Sequence, residues 1–159
     1  MGLPAADIVA TSKKTAKPKA KAIPVRGGGT GGTGATSGVK DGMDTTYYPN
    51  GQVKEVGQRV GGKKQGPWTV YHQDGTVWST GTYDHGVEHG RFIWNAKNGV
   101  LRQAGSFDHG VQTGLWKRYR GGTGVLYDSG TWENGKRVGK WTTYDKDGAV
   151  KKIQTFKPK

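Results

Sequence analysis

Glycine recurs in this chain on a fixed beat. From Gly51 the steps are 6, 5 and 4 residues, to Gly57, Gly62 and Gly66. The same steps run through Gly75, Gly81, Gly86 and Gly90, then Gly99, Gly105, Gly110 and Gly114, then Gly124, Gly130, Gly135 and Gly139. A fifth copy starts at Gly148 and runs out; successive copies begin 24, 24, 25 and 24 residues apart. Composition alone does not hold four columns in register. A period of this length signals a repeat architecture whose copies pack on their neighbours.

Two sets of turn signals alternate within the beat. One is Asn50-Gly51, Asp74-Gly75, Asn98-Gly99 and Asp147-Gly148, with Thr123-Gly124 as the odd member. The other is Gly61-Gly62, His85-Gly86, His109-Gly110 and Asn134-Gly135. Asn-Gly and Asp-Gly suit the type I′ turn, which needs positive φ at both central residues. Two turns per copy leave two strands, so each copy reads as one β-hairpin. The expected fold is all-β: a single-layer antiparallel meander of about 4.5 hairpin repeats, some nine strands in all, preceded by a low-complexity N-terminal tail.

The columns between the glycines agree with strands. Trp68, Phe92, Trp116 and Trp141 stand two past the last glycine of each copy. Arg59, Tyr83, Phe107 and Trp132 stand two past the second, with Phe156 extending that column, and Val53, Val77, Leu101, Leu126 and Val150 stand two past the first. Side chains alternate faces along a strand, so these columns are expected to form ladders on one face. Arg59, in place of an aromatic, marks the first copy as an end.

Composition bounds the rest. Only 31% of residues are hydrophobic, against about 45% in ordinary globular domains, which argues against a deep core. With no cysteine, disulfides, thiolate metal sites and cysteine nucleophiles are excluded. The net charge is +13; residues 1–43 carry seven Lys/Arg against two Asp, and the remainder eighteen against ten Asp/Glu. Both parts favour acidic partners. Residues 1–26 read as a basic Ala/Lys/Pro tail with Lys13, Lys14, Lys17, Lys19 and Lys21, residues 27–43 as a Gly/Thr-rich linker, and residues 44–159 as the repeat domain. The tail buries too little to order itself, and a basic arm on a flexible leash suits an electrostatic hook. No apolar run approaches a membrane span, and no signal-peptide layout opens the chain. The cytoplasm is the expected location, including the periphery of a membrane or the inside of a large assembly.

The segment Gly66-Pro67-Trp68-Thr69-Val70-Tyr71-His72-Gln73-Asp74-Gly75 follows G-x-W-x-x-Y-x-x-x-G and resembles the MORN repeat. The long spacing and G-x-V start are similar to its bacterial variant, often labelled as an antitoxin. The resemblance covers about 110 residues of the chain. It implies a non-enzymatic hairpin-repeat sheet acting as scaffold or contact surface, and for some members phospholipid or membrane association; the antitoxin label implies a neighbouring toxin. Asn95 stands where Tyr71, Tyr119 and Tyr144 are found, Trp94 comes one place early, and Gln154 fills a glycine column.

Catalytic motifs are weak. Gly27-x-Gly29-x-x-Gly32 lacks the flanking strand and helix of a dinucleotide site. Gly57-x-x-x-x-Gly62-Lys63 and Gly130-x-x-x-x-Gly135-Lys136 lack the Ser/Thr of a P-loop. His85 and His109 hold equivalent positions two strands apart, about 10 Å from each other, too far to share one ion. His85 with His89 lacks a third ligand. No enzyme, cofactor or metal is expected.

Two contact features remain. Lys117, Arg118 and Arg120 surround Tyr119, a basic and aromatic mixture suited to phosphate-rich ligands. Trp78 and Tyr127 share a column otherwise filled by Lys54, Arg102 and Lys151, and by parity they face away from the Val/Leu column beside them. Aromatic residues next to cations favour protein contacts. With Trp94 and the tail lysines, these are the expected contact residues. The leading expectation is a structural or accessory subunit that binds a protein partner or multi-subunit assembly through its sheet and basic tail. Charge-led binding of nucleic acid or anionic lipid, and toxin neutralisation, remain open alternatives.

Overall fold

In a computed structural model that describes residues 41–157, the chain from Gly42 onward is one open antiparallel sheet. Its strands are β1 (Gly42–Tyr47), β2 (Val53–Val60), β3 (Lys63–Tyr71), β4 (Val77–Asp84), the two-residue β5 (Val87–Glu88), β6 (Gly90–Asn95), β7 (Leu101–Asp108), β8 (Val111–Tyr119), β9 (Leu126–Glu133), β10 (Lys136–Tyr144) and β11 (Val150–Phe156). Apart from β5, which pairs with β4 alone, they lie in sequence order. The meander is the one the glycine beat predicts, with ten strands in the path and β5 beside it.

The two turn sets differ physically. His85, His109 and Asn134 adopt φ of 49°, 46° and 49°, each followed by a glycine of positive φ; these are the turns of type I′ character. In the other set only the glycine is left-handed. Gly75 N–H donates to His72 C=O at 2.9 Å and His72 N–H to Thr76 C=O at 2.8 Å, a longer loop with its bulge at the glycine. The I′ expectation for Asn50-Gly51, Asp74-Gly75, Asn98-Gly99 and Asp147-Gly148 is thus corrected. The Asn50, Asp74 and Asn98 side chains instead accept from the backbone two residues on, as Asn98 Oδ1 does from Val100 N–H at 3.1 Å, while at Asp147-Gly148 the acceptor is Asp145.

The second glycine column serves packing. A Cβ on Gly57, Gly81, Gly105 or Gly130 would stand under 3.0 Å from the rings of Trp68, Phe92, Trp116 and Trp141 respectively. Each ring therefore lies on the glycine of the strand before it. These four rings are buried, Trp68 to 2% exposure, although no second layer covers them among the described residues. In-plane neighbours do the covering. Trp68, Tyr83, Phe92, Phe107, Trp116, Trp132 and Trp141 form a continuous edge-to-face series with centroid spacings of 5.2–6.4 Å. Each such pair contributes about 0.5–1.5 kcal/mol beyond area burial.

Cations close both ends of this ladder. The Arg59 guanidinium lies 5.1 Å from the Trp68 ring and is held by Asp44 at 2.6 Å; Lys64 stands 4.2 Å from the same ring. At the far end Arg137 lies 4.2 Å from Trp141 and 5.9 Å from Phe156. Gln154 pairs with Trp141, and among the described residues no ring of a following strand lies on it to demand a glycine there.

Repeats are also stitched along their turns. The N–H groups of Gly86, Gly110 and Gly135 donate to the carbonyls of Lys64, Glu88 and Gln112 at 2.8, 2.8 and 3.1 Å. On the opposite sheet border Tyr48 Oη donates to Tyr71 C=O at 2.8 Å and Arg120 to Tyr144 C=O at 3.1 Å. Contacts of this kind make stability largely a nearest-neighbour property.

Candidate functional site: a bulge-lined groove on the ladder face

The column Lys54, Trp78, Arg102, Tyr127 and Lys151 is a column of β-bulges. Val70 pairs with Ser79 and Tyr71 with Val77, so Trp78 is the extra residue. The same shift isolates Lys54, Arg102, Tyr127 and Lys151. A bulge re-aims a side chain and breaks alternation. Trp78, Arg102 and Tyr127 consequently line one groove with Trp94, Gln103, Arg118 and Tyr119, a space of about 460 Å³. Leu101, beyond the bulge, lines a separate concavity with Ala104, Ser106, Leu115 and Lys117 on the other face. The Val/Leu column therefore does not join the aromatic ladders on one face: the bulge shifts its parity.

The groove has a fixed floor and exposed walls. Trp94 stacks between Phe92 and Trp116, with centroids 5.6 and 5.9 Å away and planes 26° and 29° apart. Asp128 is 3% exposed, and its carboxylate accepts from Arg118 Nε at 2.8 Å and from Arg118 Nη2. This hydrogen bonding raises the Arg118 pKa above its ordinary value, so the guanidinium keeps its charge. Arg118 and Arg120 also lie 5.5 and 5.1 Å from the Tyr127 ring. Burial pushes the Tyr119 phenol up. Against this floor, Trp78 and Tyr127 are 43% and 39% exposed. Arg102 is exposed and makes no ion pair among the described residues.

The expected contact residues are thus sorted. Trp78, Trp94, Arg118 and Tyr127 converge on the groove, with Arg120 at its edge. Arg120 is partly committed to the fold through Tyr144, and its buried Nε has no hydrogen-bond partner. Lys117 lies on the opposite face. Lys13, Lys14, Lys17, Lys19 and Lys21 fall outside the described residues. Sequence reasoning passed over Arg102 as filler; its signal was its place in the bulge column. It also missed the approach of His89 to His109, whose ring centroids are 4.9 Å apart, having weighed His85 with each of them instead.

The hairpin order, glycine-seated rings and cation-closed ends define a single-layer β-hairpin repeat protein. Residues 40–59, 64–85 and 137–157 match the family model described as MORN repeat variant. These three stretches of the chain are MORN-type repeats. The stretch between the last two matches holds Trp94, Asn95 and the 25-residue step to Gly124. No curated protein matches the chain. MORN repeats are commonly protein- or membrane-interaction modules and generally non-catalytic. No helix among the described residues is long and apolar enough to cross a membrane.

Proposed function

We propose that this chain is a non-enzymatic scaffold or accessory subunit that holds a protein partner against its ladder face. The observation that carries this reading is the groove between Trp78 and Tyr127. It combines two exposed aromatic walls, an unpaired Arg102 and a rigid floor, the composition that concentrates energy at protein interfaces. Its chemistry suits a segment that presents an apolar or aromatic side chain flanked by carboxylates. The tail lysines would add attraction and speed encounter without setting specificity.

Co-purification from the native host tests this. The wild-type chain is expected to retain a stoichiometric protein partner that Trp78→Ala/Tyr127→Ala loses. The partner should remain bound between about 50 and 200 mM salt, the range over which charge-led nucleic-acid binding falls steeply. Retention by the double variant overturns the groove. Binding that vanishes with salt, with nucleic acid or anionic lipid as the ligand, replaces the scaffold reading with the charge-led one.

A further inference from the structure

His89, Asp108 and His109 come together where two consecutive repeats meet. His109 Nδ1 lies 2.7 Å from Asp108 Oδ1, and His89 Nδ1 lies 3.5 Å from the same oxygen. One ligand atom from each residue falls within 4.8 Å of the other two. All three residues are exposed, and none lines the ladder-face groove.

The backbone fixes their placement. His109 is the first central residue of a type I′ turn, at φ 46°, and Gly110 N–H clasps that turn to Glu88 C=O at 2.8 Å. His89 follows Glu88 directly, and its own N–H donates to Thr82 C=O at 2.9 Å. The clasp that joins neighbouring repeats therefore also carries His89 to the Asp108–His109 turn.

The other repeats supply an internal comparison. One repeat earlier the equivalent residues are Gln65, Asp84 and His85. There Gln65 uses both ends of its amide: Nε2 donates to Asp84 at 3.1 Å and Oε1 accepts from His85 N–H at 2.8 Å. One repeat later the set is Thr113, Glu133 and Asn134. At those junctions the position holds a glutamine or a threonine. At the middle junction alone the position holds an imidazole, and a set of two imidazoles and one carboxylate results.

We infer that His89, Asp108 and His109 bind one divalent transition-metal ion of borderline softness, such as Zn²⁺ or Cu²⁺. Imidazole with carboxylate suits these ions, and the chain has no cysteine to draw them elsewhere. A tetrahedral ion with bonds near 2.0–2.2 Å needs ligand atoms roughly 3.3–3.5 Å apart. Rotation of these exposed side chains closes the difference without backbone movement. Three protein ligands leave a fourth position for water or for a donor from a partner. The ion would tie the start of β6 to the β7–β8 turn and so brace one repeat junction.

Calorimetric titration of the untagged full chain with Zn²⁺ tests the assignment. Saturable binding of one ion per chain is expected. His89→Gln and His109→Asn place at each position the residue its repeat equivalent carries, so both variants retain the clasp and the turn. Each should weaken binding at least about tenfold, the lower end of what even outer-shell changes cost. Gln65→His should raise the stoichiometry from one to two, because Asp84 and His85 already stand at the equivalent places. Absence of saturable binding, unchanged affinity in both single variants, or a stoichiometry that stays at one in Gln65→His each overturns the inference.

Discussion

The indole of Trp116 packs onto Gly105 so closely that a Cβ at that position would stand under 3.0 Å from the ring. Gly105 is not left-handed, so its requirement is room, not conformation. Gly105→Ala should therefore destabilise the protein by about 1–3 kcal/mol through overpacking. Gln154→Gly, in the same column but with no ring of a next described strand seated on it, should cost no more than about 0.5–1 kcal/mol, the ordinary penalty for glycine in a strand. Urea denaturation of both variants checks the contrast. Equal effects would mean that the column does not seat the rings.

The buried Asp128 carboxylate depends on Arg118. Arg118→Met leaves it without its charged partner and should cost about 1–3 kcal/mol, the penalty of an unsatisfied buried group. Arg118→Met/Asp128→Ser should recover most of that loss, since neither residue then requires the other. Thermal unfolding of the two single variants and the double variant measures the coupling.

Arg137 closes the far end of the ladder 4.2 Å from Trp141. Arg137→Gln should remove about 0.5–2 kcal/mol of cation–π attraction. Because neighbours carry most of the stability, hydrogen exchange should accelerate in β9 to β11 and remain unchanged in β2 and β3.

Acid should loosen the turns that the Asp84 and Asp74 carboxylates hold. The Asp84 carboxyl is held below 3.8, first by the Gln65 amide and then by His85; Asp74 is likewise lowered, first by the Thr76 hydroxyl and then by its N–H. For a depressed carboxyl, the stabilisation is complete above pH 3.8 and is lost as pH falls through the lower folded value. In an NMR titration of the side-chain carboxyls, Gln65→Ala should move Asp84 up toward 3.8 and leave Asp74 where it is.

Much of the fold was legible because the repeat copies the same physics into each hairpin. Gly57, Gly81, Gly105 and Gly130 fall in register with the rings they seat, and Arg59 announced an end by breaking an aromatic column. What alternation could not show is the bulge. Trp78 looked like one more strand residue, yet the pairing of Val70 with Ser79 and Tyr71 with Val77 displaces it toward the ladder face and sends Val77 out of the aromatic column's parity. The turn set at Asp74-Gly75 was misread for a related reason: Asp-Gly also suits a longer loop in which only the glycine is left-handed. His89 and His109 escaped notice because a cross-repeat clasp, not their spacing, brings them together.

Photo-crosslinking from position 78 tests the scaffold reading most directly. A benzophenone amino acid replacing Trp78 on the ladder face should crosslink a protein partner in native-host extract, and Arg102→Ser should diminish that product. The same probe replacing Leu115, which is 57% exposed and lines the opposite face, should crosslink little. Strong crosslinking from position 115 with none from position 78 would contradict the ladder-face groove as the site where this protein holds its partner.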